Sequence, residues 1–178
     1  CRVLLQGREQ PRARGEALAT EVALKTCIGE RLSHALGRMI LAARDHQCLD
    51  EVLIIAAALS VQDVRDRPLE HQQAADEKQK QFDDERSEFV SYLKLWAWLE
   101  AGRGVHGHQA SKSQRVDTHK LSNRQQEQRL REHFISARRV REWRDIHSQL
   151  QSVAAEQGWR LNPMPATYDS LHMALLSG

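Results

Sequence analysis

Residues 49–59 read LDEVLIIAAAL, and the fold class turns on how that stretch is taken. A run of Ile, Val and Leu also suits a strand buried on both faces. Three consecutive alanines, Ala56, Ala57 and Ala58, favour helix instead, because alanine is the best helix former. Asp50 and Glu51 stand at the start, where the positive end of a helix macrodipole welcomes carboxylates. The stretch therefore reads as a helix that is apolar on all sides, and such a helix belongs in the middle of a core. On its N-terminal side Leu36, Met39, Ile40 and Ala43 recur at i, i+3, i+4 and i+7, a single apolar stripe on a short helix. On its C-terminal side SVQDVRDRP supplies a loop, since Pro68 restricts Arg67 to extended backbone.

Further along, residues 69–84 are highly polar and form either an exposed helix or a loosely ordered stretch. Ser87 can cap a helix that places Phe89, Leu93, Trp96 and Leu99 on one side, and Gly102 and Gly104 stop it. Residues 102–120 carry Gly, Ser, Lys and Gln without apolar periodicity, the composition of a flexible surface insertion. Ser122 with Gln125 makes a capping-box pattern that opens a short basic helix. Ser136 can cap the longest helix, where Val140, Trp143, Ile146, Leu150, Val153 and Ala154 recur every three or four residues until Gly158. After an NPMP loop Thr167 caps a last helix with Tyr168, Leu171, His172 and Leu175 on a shared face. Residues 1–31 are basic and interrupted by Gly7, Pro11 and Gly15, with room for a helix over 17–28. The expected fold class is thus mainly α, a helical bundle.

Only 5% of the residues are aromatic and 28% are charged, which suits helices with much solvated surface better than a β-sandwich. No apolar run approaches the roughly 20 residues of a membrane span and no signal peptide opens the chain, so no membrane partner is expected and a cytoplasmic location is the default. Cys1, Cys27 and Cys48 are odd in number and lack C-x-x-C spacing, which argues for reduced thiols rather than disulfides or a zinc knuckle. A start at Cys1 and a stop at Gly178 directly after a helix pattern suggest a fragment. The net charge of +2 decides nothing, but its distribution does. Residues 61–90 hold nine acids against five bases, whereas residues 122–150 hold seven arginines against four acids, so the second segment is the expected polyanion face.

The sequence contains no G-x-x-x-x-G-K-[ST] phosphate loop, no G-x-S-x-G elbow and no H-E-x-x-H zinc helix, so no catalytic residue is assigned and an independent hydrolase is not expected. His106, His108 and His119 lie in the flexible insertion without a cysteine or carboxylate at ligand spacing, and they are read as solvated rather than as a metal site. His172, on an apolar face, is read as a satisfied core or interface histidine. Arg138, Arg139, Arg141 and Arg144 surround the apolar stripe of the longest helix and are the candidate phosphate ligands, with stem packing or pairing to Glu142 and Asp145 as the alternative. Trp96 and Trp143 fall in core stripes, leaving Trp98 and Trp159 as the rings that could stack bases.

Residues 48–68, CLDEVLIIAAALSVQDVRDRP, resemble the helicase-associated, ratchet-like segment of DEAH-box RNA helicases of the bacterial HrpA type. The resemblance continues through AADEKQKQFDDERSEFVSYLKLW, FISARRVREWRDIHSQL and YDSLHMALLSG, in that order, and covers most of residues 36–178 apart from the insertion. It implies a larger ATP-dependent helicase in which two RecA-like domains bind ATP and magnesium, while the helical region closes over them so that single-stranded RNA threads between. An OB-fold would follow in cis. In such a helicase residues 1–35 would end a winged helix, yet they do not align with one. They are read as a poorly matched segment, either a winged-helix remnant or a damaged reading frame. The alternative role for the helical region is a packing or protein-interaction module that never touches RNA.

Overall fold

A computed structural model describes residues 30–104 and 121–178. The helix expected over 17–28, the insertion histidines His106, His108 and His119, and Cys1 and Cys27 lie outside the described residues. Seven α-helices occur among the described residues: α1 Glu30–Asp45, α2 Leu49–Ser60, α3 Gln72–Gln79, α4 Glu88–Ala101, α5 Asn123–Glu132, α6 Ala137–Glu156 and α7 Tyr168–Leu175. The mainly α bundle is as expected; the β pairing among these residues is one isolated antiparallel bridge between Arg65 and Ile135.

α2 is the hub. It packs against α1, α4, α6 and α7, and Val52, Ile55, Ala56 and Ala57 are wholly buried. Its alanines let neighbouring helices approach closely, while acidic Asp50 and Glu51 occupy its first turn. α6 is fastened to it by Trp143, which is fully buried and donates its indole N–H to the Ile54 carbonyl at 3.0 Å. A buried indole needs such a partner, and the ring's loss would cost about 3–5 kcal/mol. The α1 stripe is also as read, with Leu36, Met39, Ile40 and Ala43 all buried.

Several local signals act as the sequence indicated. Ser122 and Gln125 form the full capping box, Ser136 Oγ accepts from Arg139 N–H, and Thr167 Oγ1 accepts from Ser170 N–H. Gly158, at φ 71°, closes α6 with the bond from Trp159 N–H to the Ala154 carbonyl that a left-handed terminal residue permits. Two non-glycine residues do the same at other helix ends: Gln47 after α1 at φ 54° and Phe134 after α5 at φ 53°.

The polar stretch 69–84 takes the helical one of the two forms the sequence left open, α3 flanked by short 3-10 turns at Leu69–His71 and Lys80–Phe82, and it docks through buried Ala75, Gln79 and Phe82. Other regions differ from the sequence reading. Ser87 precedes α4 without capping it by its side chain. Its hydroxyl instead donates to His172 Nε2 at 2.7 Å, because His172 Nδ1–H is committed to the Tyr168 carbonyl at 2.8 Å. His172 is therefore a satisfied histidine joining α7 to the start of α4. On α4 itself Leu95, outside the expected stripe, is the most deeply buried residue at 1% exposure, since the helix is covered on more than one side.

Candidate nucleic-acid interface

α5 and α6 follow each other through a tight connection, and together they carry the arginine-rich segment. The connection is locked to the loop after α2. Asp66 N–H donates to the Phe134 carbonyl and Ser136 N–H to the Val64 carbonyl, each at 2.8 Å. Buried Gln79 spans both strands of this bridge, donating from Nε2 to the Asp66 carbonyl at 3.0 Å and to the Phe134 carbonyl at 3.1 Å. The entrance of α6 is thus fixed by three segments distant in sequence.

The four candidate arginines separate into two pairs. Arg139 turns inward, with Nη1 donating to the Asp66 carboxylate at 2.7 Å and to the Asp63 carbonyl at 2.9 Å. Arg144 also turns inward: Nε donates to Glu100 Oε1 at 2.9 Å and Nη2 to the Leu99 carbonyl at 3.3 Å. These two tie α6 to the 61–68 loop and to α4. Arg138 points outward, its side chain 85% exposed, and among the described residues it meets only Glu142 one turn on, at 3.1 Å. Arg141 is exposed and donates to the Ala137 carbonyl of its own helix at 3.3 Å. The sequence spacing placed all four around one stripe but could not say which carboxylates other elements would bring to them.

Neither tryptophan left over for base stacking presents a bare face. The Arg129 guanidinium lies 3.7 Å from the Trp98 ring centre, and Phe82 and His133 pack on the same ring. Burial there makes the Arg129 cation easier to deprotonate than usual. Trp159 is partly buried against the core with the Arg44 guanidinium 5.5 Å from its ring. Two residues escaped the sequence reading. Arg131, exposed on the last turn of α5, was counted in the basic segment without being singled out, and Phe134 was passed over. Both line a cleft at the α5–α6 connection.

Among the described residues no group of His, Cys, Asp and Glu could hold a metal ion, and no helix is long and apolar enough to cross a membrane. The sequence matches a known class. The profile of the helicase associated domain (HA2), ratchet-like, matches residues 33–145, more than half of the sequence, and the chain belongs to that family. Two curated relatives are similar over most of the chain. The ATP-dependent RNA helicase HrpA of Escherichia coli strain K12 is 39% identical over 158 residues, 86% of this chain and 11% of the relative. The ATP-dependent RNA helicase HrpA homolog of Haemophilus influenzae is 37% identical over 163 residues, 89% of this chain and 11% of that relative. The chain thus spans about a ninth of the length of these relatives.

Proposed function

We propose that this chain is the auxiliary region of a cytoplasmic DEAH-box ATP-dependent RNA helicase, forming one wall of a single-stranded RNA channel and coupling it to the ATPase motor. The family and the HrpA-type relatives support the helicase setting. The observation that supports the RNA wall is the outward stance of Arg138 and Arg141 on a helix whose other two candidate arginines anchor it. A rigid α6 would hold the two exposed guanidiniums at fixed spacing against phosphate oxygens, which guanidinium forks grip in pairs. ATP and magnesium would be held by RecA-like domains elsewhere in the helicase, because this sequence lacks a glycine-lysine phosphate loop. The residues here would position RNA and transmit motion; no chemical step falls to them.

The test uses an intact HrpA-type helicase carrying this region, with Arg138→Glu and Arg141→Glu combined. Arg139 is unsuitable for charge reversal, since breaking its bond to Asp66 would disturb the fold. The expected result is weaker stimulation of ATP hydrolysis by RNA with basal hydrolysis retained. Unchanged stimulation would favour the second reading, a packing module without RNA contact, which draws its support from the inward ties of Arg139 and Arg144.

A further inference from the structure

Phe134 occupies a position that suits glycine. The bonds closing α5, Phe134 N–H to the Arg131 carbonyl at 3.1 Å and Ile135 N–H to the Leu130 carbonyl at 2.9 Å, require left-handed backbone at residue 134. α6 meets the same requirement with Gly158, which has no Cβ to strain. At Phe134 the strained conformation is enforced by Asp66 N–H and buried Gln79, both donating to its carbonyl. A bulky aromatic held where glycine would be easier calls for a use of the ring. The ring, beside His71 at 6.2 Å, lines with Pro68 a cleft of about 380 Å³. Glu127 and Arg131 stand at its polar edge, and among the described residues neither is engaged in an ion pair. Asp66, also at the edge, is already neutralised by Arg139.

We propose that this cleft is a nucleobase subsite on the single-stranded RNA path: one base stacks on Phe134, its amino group donates to the Glu127 carboxylate, and Arg131 takes an adjacent phosphate. The inference rests on the RNA-channel reading and adds a preference to it. An aromatic ring accepts any base face, but a carboxylate acceptor rewards bases with amino groups. In the pose where cytosine turns its N4 amino donor to that carboxylate, uracil turns its O4 acceptor to it instead. The cleft therefore selects against uridine.

Binding of this chain to cytidine and uridine oligoribonucleotides at low salt, read by fluorescence anisotropy beside thermal melts, tests the subsite. The wild-type chain should prefer the cytidine oligomer. Phe134→Gly should bind it about 5- to 150-fold more weakly, the span of one lost stacked base, while melting no lower than wild type because the backbone strain is relieved. Phe134→Leu keeps the bulk without the ring and should lose affinity as well. Glu127→Gln, which can donate to uracil oxygens, should erase the preference for cytidine. Unchanged affinity in both Phe134 variants overturns the subsite, and if Arg138→Glu weakens binding in the same series the channel reading survives it. A wild-type chain that binds neither oligomer removes both.

Discussion

Replacing Arg144 with alanine should cost stability rather than RNA affinity, and the structure sets the size of the effect. Glu100 and Arg144 side chains are only 11% and 21% exposed and meet at 2.9 Å across the α4–α6 contact. Removing the guanidinium deletes a charge-assisted hydrogen bond worth about 1.5–3 kcal/mol and the bond to the Leu99 carbonyl, worth about 1 kcal/mol more. The carboxylate keeps one further partner, Arg103 at 3.4 Å, itself 45% exposed. Breaking a fully buried pair costs about 3–5 kcal/mol, and the partial access of water here brings the expected loss to about 2–3 kcal/mol. Urea unfolding followed by helical circular dichroism would measure it. In a double-mutant cycle with Glu100→Ala the combined loss should fall short of the sum by about 1–2 kcal/mol. As comparator, Arg138→Ala should cost no more than about 0.5 kcal/mol, the worth of an exposed i, i+4 pair. A loss below about 0.5 kcal/mol for Arg144→Ala, joined to weakened RNA binding, would refute the division of the arginines into inward ties and outward contacts.

Three further outcomes follow from buried groups. His147 packs on Trp96 with ring centres 4.7 Å apart, Nε2 lacks a hydrogen-bond partner among the described residues, and burial lowers its pKa to about 4. The unfolded chain therefore binds a proton that the folded chain refuses, so stability falls as pH drops from about 6.5 toward 4, by roughly 3 kcal/mol in total. His147→Phe should flatten that part of the pH–stability curve, and parallel curves would contradict the assignment. The Cys48 thiol is pushed up to about 11, first by burial and then by the Glu51 charge. In a background carrying Cys1→Ser and Cys27→Ser, a thiol reagent at neutral pH should modify Cys48 rapidly only after unfolding; fast labelling of the native chain would show an opening at α2. Asn162, 7% exposed, accepts from Asp50 N–H at 2.9 Å and donates to Glu51 at 3.1 Å and the Met164 carbonyl at 2.7 Å. Asn162→Ala should lower stability by about 2–4 kcal/mol in urea titrations, and a neutral substitution would mean that water replaces all three bonds.

Much of the architecture can be read from short-range patterns. LDEVLIIAAAL identifies its own helix through alanine content and acidic placement, and α6 declares itself by an apolar spacing sustained from Val140 to Ala154. Caps at Ser122, Ser136 and Thr167 are legible because the donor and acceptor lie three residues apart. What escaped depends on partners brought from a distance. Ala75, Gln79 and Phe82 are spaced as a buried face, but the surrounding charges hide it until α4 and the Phe134 turn are in place. Ser87 looks like a cap until His172, 85 positions away, takes its hydroxyl. The arginines show the same limit: Arg138 and Arg139 are adjacent in sequence, yet only Arg139 finds Asp66. Left-handed backbone at Phe134 has no signal in residue type at all.

The central claim, that α6 presents phosphate-binding arginines to single-stranded RNA, is tested most directly by the salt dependence of RNA binding. Each phosphate contact on a single strand contributes about 0.7 to the slope of log affinity against log salt. The wild-type chain should therefore bind RNA with a steep salt slope, and Arg138→Glu combined with Arg141→Glu should make it shallower by about 1.4 while the fold stays intact. Equal slopes and equal affinities for the two proteins would contradict the account and leave the bundle as a packing module.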